Sequence, residues 1–188
     1  MTGVRAQASQ RVRESIVEAT VRVVAREGVG AVTHRGVAAE AKVSLSSTTW
    51  HFATKADILE AALDWTARHE VESIAAIADR LTDSDFDPEA WADALADWLY
   101  AQVTTDREQT IALYRLQAEL LGSPGVPELH REWGAGLRAV GERVLPIADV
   151  DLRLIIAALD GLRITALNAD DLGWLRPTVL RQLTALLG

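Results

Sequence analysis

The chain has no cysteine among its 188 residues. That excludes disulfides, a thiolate nucleophile and Cys-ligated zinc, and it suits a reducing compartment. Long apolar runs are lacking as well. The longest lies around Ile155–Leu159, far short of the ~20 residues needed to span a bilayer. The N-terminus carries no apolar region of the kind that opens a signal peptide, so the expected location is the cytoplasm, with no membrane partner. No stretch alternates apolar and polar residues as a strand would, and there is no repeat or low-complexity segment. The expected fold class is therefore all-α.

Enzyme signatures are missing too. His69-Glu70 begins a His-Glu-x-x-His zinc motif, but Ser73 stands where the second histidine belongs. There is no Glu-x-x-His pair, no Gly-x-Ser-x-Gly elbow and no phosphate-binding glycine loop. Asp83, Asp85 and Asp87 alternate like calcium ligands, yet the sixth position is Pro88 and the twelfth Ala94. Asp87 capping a helix with Pro88 at its first position explains them better. We expect no metal, no cofactor and no catalysis.

Charge is unevenly distributed. Residues 1–55 hold eight Lys and Arg against four Glu, a net +4 within a chain of −8, which leaves −12 for the remainder. A basic head on an acidic body fits a head that meets phosphate, although chance clustering of surface charge gives the same sum.

The head contains the most informative stretch, Thr33 to Lys55. Thr33 can cap a short helix that keeps Val37, Ala38 and Ala41 on one side. Ser44 can cap a second helix that carries Ser46, Ser47 and Thr49 outward and ends at Trp50-His51-Phe52. Two short helices joined by three residues form a helix-turn-helix. Val43-Ser44, five residues, Trp50-His51-Phe52 and Thr54-Lys55, at this spacing, resemble the DNA-binding domain of the TetR family of bacterial repressors, from about Arg11 to about Leu63.

The resemblance implies an N-terminal three-helix DNA-binding domain over residues 10–55 and a larger helical ligand-binding and dimerisation domain over 56–188. It implies double-stranded operator DNA, a small-molecule inducer and a second copy of the chain as partners. The implied DNA-facing residues are Thr33, His34, Arg35, Lys42, Ser44, Leu45, Ser46, Ser47, Thr49, Trp50, His51 and Lys55. Among them Arg35 can grip guanine bidentately and Leu45 can meet a thymine methyl. Two positions depart from the family's pattern. Lys42 stands where a turn glycine is usual, and Thr49 where a tyrosine usually contacts phosphate, a role that Trp50 could take over.

Outside this stretch, residues 1–9 show no period and are expected to be mobile. Helix one follows from Gln10, with Ile16, Ala19, Thr20, Val23 and Val24 at helical spacing and Gly28 closing it. Lys55 opens a long helix four whose stripe from Ile58 to Leu81 is apolar at both ends and polar in the middle. Helices then follow over about 88–104, 107–121, 127–145, 150–168 and 177–187. Dimerisation is expected through the helices around 127–145 and 150–168, the second being apolar around most of its circumference, although a central core helix reads the same way. The body's aromatics are either core or pocket. Read as a pocket, Trp65, His69, Trp98, Tyr114, Arg115 and Gln117 suit a small apolar or aromatic molecule. A helical binding or scaffold protein without DNA binding is the alternative, and it would tolerate changes at Thr33 and Lys55.

Overall fold

The computed structural model describes residues 2–81, 87–144 and 149–187. Among them every regular element is helical: α1 (Thr2–Glu27), a 3-10 turn (Val29–Ala31), α2 (His34–Ala41), α3 (Leu45–His51), α4 (Lys55–Leu81), α5 (Pro88–Val103), α6 (Arg107–Leu120), α7 (Val126–Val144), α8 (Asp149–Leu167) and α9 (Leu175–Leu187). The chain packs as two compact units, one of residues 1–67 and 108–129, the other of 68–107 and 130–188. The first thus gathers the start of α4, most of α6 and the start of α7 with the helix-turn-helix, a wider grouping than 10–55.

In the first unit, α1 starts at Thr2, which corrects the expectation that helix one begins at Gln10. The segment Thr2–Ser9 has no proline and includes Ala6 and Ala8, so helix can propagate backward from a turn already docked farther along. Ile16, Ala19, Thr20, Val23 and Val24 are all buried, as their spacing predicts. Gly28 ends the helix with φ 86°, a conformation that a side chain would strain. Arg115 of α6 clamps this end, its Nη1 donating to Val24 O and Ala25 O, each at 2.8 Å. A cation at a helix C-terminus also suits the helix dipole.

In the second unit, Trp91, Leu95, Trp98 and Leu99 of α5 lie in one core with Ile77, Ala78, Leu152, Ile155, Leu159, Leu175, Val179 and Leu183. Asp87 caps α5 by accepting from Glu89 N at 2.9 Å, with Pro88 at the first helical position. The rest of the expected loop before it, Thr82 to Phe86, lies outside the described residues. Gly141 of α7 abuts the Leu152 side chain so closely that a Cβ would collide with it, so α7 and α8 meet there backbone to side chain.

Candidate nucleic-acid interface

The helix-turn-helix is built by its caps. Thr33 Oγ1 accepts from Gly36 N at 3.0 Å, and Ser44 Oγ accepts from Ser47 N at 3.0 Å. Ser44 Oγ also meets the hydroxyls of Ser46 at 2.9 Å and Ser47 at 2.8 Å, so the start of α3 presents a cluster of hydroxyls. Between the helices Lys42 takes φ 57°, ψ 37°, the left-handed conformation, and it is the one non-glycine residue with positive φ among the described residues. Its N–H donates to Ala39 O at 3.2 Å, and Val43 N–H donates to Ala38 O at 3.0 Å. This pair of bonds closes a Schellman motif. Lysine therefore occupies the glycine position without reshaping the turn.

Two further contacts fix α2 and α3 on their support. Glu40 of α2 accepts from Arg22 at 2.8 Å and Arg26 at 2.7 Å, both on α1. The hydrogen bonds from Arg26 and then Arg22 pull its carboxyl down to about 2. His34 Nε2 lies 2.9 Å from Phe52 O, while the Phe52 ring is buried and covered by the Arg13 guanidinium at 5.1 Å. Phe52 thus plugs the space between the motif helices and α1. Burial lowers the His51 pKa from its ordinary value, helped by the charge of Arg13.

What remains outward is a coherent face. Leu45 is 42% exposed and Trp50 75%, and Arg35, Lys42, Ser44, Ser46 and Thr49 are exposed beside them. The Thr49 hydroxyl folds back on Leu45 O and Ser46 O, both at 3.2 Å, whereas the Trp50 indole stands away from the helix and meets His51 edge-on, ring centres 4.6 Å apart. Ala8, Ser9 and Val12 of α1 face Ser46, Ser47, Trp50 and His51 across an open groove of about 440 Å³. Lys55, half-buried, opens α4 behind a capping box in which Thr54 and Asp57 exchange backbone-to-side-chain bonds of 2.8 and 3.1 Å. Arg22 and Arg26 contribute to the head's positive charge but are held in structural contacts. The outward cations of the motif are Arg35 and Lys42.

A three-helix support carrying an exposed hydroxyl, leucine and indole face beside basic side chains is suited to lie on a duplex. Residues 16–62 match the family model of bacterial regulatory proteins of the tetR family, and residues 86–188 match that of the tetracyclin repressor-like C-terminal domain. The chain belongs to the TetR family. It is a transcription factor of that family rather than an enzyme.

A nicotine-responsive transcriptional repressor, HdnoR of Paenarthrobacter nicotinovorans, is 30% identical over 104 residues, which cover 55% of this chain and 52% of that protein. The match spans about half the length of that relative. Among solved structures, the multidrug binding protein EbrR complexed with imidazole superposes with a TM-score of 0.70 at 31% identity, over 90% of this chain and 93% of that one. A transcriptional regulator of Streptomyces coelicolor A3(2), SCO7518, gives 0.75 at 25% identity, over 94% and 98%.

The residues expected to form a ligand pocket do not gather in one unit of this TetR-family regulator. Trp65, Tyr114, Arg115 and Gln117 belong to the first unit, His69 and Trp98 to the second. Arg115 is the clamp on α1 described above, and His69 is exposed while its neighbour Glu70 is buried.

Sequence reasoning passed over a polar cluster in the second unit. Glu70 of α4 is 6% exposed and Arg163 of α8 is 2%. Arg163 Nη1 donates to Glu70 Oε1 at 2.5 Å and Nη2 to Asp160 Oδ1 at 2.8 Å. Its guanidinium carbon lies 5.7 Å from the Trp98 ring centre, and Trp98 Nε1 donates to Ser73 Oγ at 2.9 Å. Burial pushes the Glu70 carboxyl above its ordinary 4.5, with the charge of Arg163 pulling the other way. The readable signal was a glutamate on the inward stripe of helix four and a lone arginine in an apolar stretch of α8.

Proposed function

We propose that this regulator is a ligand-responsive repressor that binds a near-palindromic operator as a homodimer and leaves it when a small aromatic molecule occupies the body. The observation that carries the reading is the outward face of α3, where Leu45 and Trp50 are large apolar groups left uncovered beside the Ser44, Ser46 and Ser47 hydroxyls. Such side chains gain nothing in water but can meet base edges and phosphates in a major groove. Arg35 and Leu45 are assigned to bases. Lys42, Trp50 and Lys55 are assigned to the phosphate backbone, and the Ser44, Ser46, Ser47 and Thr49 hydroxyls serve either. Thr33, His34 and His51 hold these side chains in position.

Dimerisation is supported by α8. Leu154, Ala157, Gly161 and Ile164 are all exposed and follow one another at spacings of three and four residues, the period of a helix seam with small residues at its centre. The adjoining α7 is assigned to the same interface. A two-fold dimer places two heads about a helical turn apart, which a near-palindrome matches. Ligand release is supported by the relatives, one responsive to nicotine and one holding ethidium or proflavin. Helix α4 supplies a route for coupling, since residues 55–67 belong to the first unit and 68–81 to the second. The protein would act in the cytoplasm, and no helix among the described residues is long and apolar enough to cross a membrane.

Selection of bound sequences from random duplex DNA with the purified chain tests the reading. A two-fold-symmetric site is expected, and an absence of enrichment rejects it. Arg35→Ala should relax preference at one symmetric pair of positions, whereas uniform weakening would reassign Arg35 to phosphate.

A further inference from the structure

The second unit encloses a planar cation of its own. The guanidinium of Arg163 is flat and delocalised, sits against the Trp98 ring and ends on the buried Glu70 carboxylate. Those are the contacts that a flat cationic ligand makes with a protein, a ring face for its π-system and a carboxylate for its charge.

The pairing is incomplete. Glu70 Oε2 and Trp133 Nε1 are both buried, and neither has a hydrogen-bond partner in the protein, although the indole N–H lies near enough to favour the charged carboxylate. A buried carboxylate oxygen left unbonded is costly, so the cluster retains acceptor capacity facing Trp133. Arg163 also has a second place to go. Asp160, one helical turn earlier, already holds its Nη2, and the Asp160 side chain is 45% exposed. Asp160 thus gives the guanidinium a partner nearer the solvent than Glu70.

We infer that a planar aromatic cation binds the second unit by replacing the Arg163 guanidinium on Glu70 and the Trp98 ring, with Arg163 turning out to Asp160. The inference rests on the reading that the chain answers to a small molecule, and it names that molecule's class and anchor. The ligand's N–H groups take up Glu70 Oε2, and its ring lies between the Trp98 and Trp133 indoles. Its arrival breaks the Arg163 bond between α8 and α4, the helix shared by both units, and so couples binding to the head.

The test is fluorescence titration of the full-length protein at pH 8, without DNA, using ethidium as the cation and 9-anthracenemethanol as an uncharged probe of similar shape. Wild type should bind ethidium, and Glu70→Gln should weaken it by at least about tenfold. Arg163→Met should tighten it by roughly fivefold, because wild type binds only after its own cation has turned aside. No ethidium binding by wild type, no loss in Glu70→Gln, or unchanged or weaker binding in Arg163→Met would each overturn the inference.

If a single variant does not fold, the double variant Glu70→Gln/Arg163→Met removes both charges. It should bind the two probes about equally, and a retained preference for the cation rejects the assignment. Operator release is measured separately. Ethidium that binds through Glu70 without releasing DNA leaves the site standing and removes the repressor reading, whereas release undiminished in Glu70→Gln does the reverse.

Discussion

His34 Nε2 sits 2.9 Å from the carbonyl oxygen of Phe52, joining the first residue of α2 to the residue that ends α3. The carbonyl belongs to the C-cap residue that follows a seven-residue helix, past the point where an intrahelical donor could reach it. On the proposed reading, His34 sets the angle between the two motif helices rather than reading DNA. His34→Ala should cost about 1 kcal/mol of stability, the net value of one such bond. Operator affinity should fall equally for matched and mismatched sites. Thermal melting together with binding to a panel of single-base variants checks this, and a loss confined to one base position would return His34 to the recognition surface.

Lys42 holds a left-handed backbone that glycine would hold without a steric penalty. Lys42→Gly should therefore raise stability by roughly 1 kcal/mol, less the extra freedom glycine gives the unfolded chain. The same change removes an exposed charge beside α3. Binding should weaken for all sequences alike, and the slope of log affinity against log salt should become shallower by about one. A more stable variant with an unchanged salt slope would show that Lys42 does not contact phosphate.

Much of the head was legible because its signals are local. Thr33 and Ser44 as caps and Gly28 as a stop each depend on a few neighbours in sequence, and each is found where predicted. What was missed depends on residues far apart in the chain. Arg115 lies ninety residues from the Ala25 carbonyl it clamps, and Arg163 ninety-three from Glu70. No periodicity reveals a partner at that distance, so Arg115 read as a pocket anchor and Glu70 as one polar member of a stripe. The helical start of α1 was hidden for another reason, since residues 1–9 show no apolar period.

Glu40 makes the head sensitive to acid. Its folded pKa of about 2 lies below the ordinary 4.5 because Arg26 and Arg22 hold the ionised form, so the unfolded chain takes up its proton first. The stabilisation is fully present above pH 4.5 and is lost as pH falls from there towards 2. Glu40→Gln should melt earlier than wild type at neutral pH and converge with it in acid. Both arginines are well exposed, so the difference should be modest and should shrink further in high salt. Parallel melting curves at all pH values would assign α2 packing to its apolar side alone.

The Glu70–Arg163 pair makes a sharper stability prediction because both partners are buried. Removing one leaves an uncompensated charge, so Arg163→Met or Glu70→Leu should each cost about 3 kcal/mol. Glu70→Leu/Arg163→Met exchanges the pair for apolar side chains and should lie within about 1 kcal/mol of wild type, because the desolvation cost disappears along with the attraction. Arg163→Met should also depend on pH. Burial already raises the Glu70 pKa, and loss of the guanidinium raises it further. A carboxyl with a raised folded pKa stabilises the protein below its unfolded value of 4.5 and loses that stability as pH rises through the folded value. The deficit of Arg163→Met should accordingly be largest in alkaline solution and shrink towards pH 4.5. Denaturant titrations of the four proteins at two pH values measure both effects, and additive single costs would mean that the two residues stabilise the core independently.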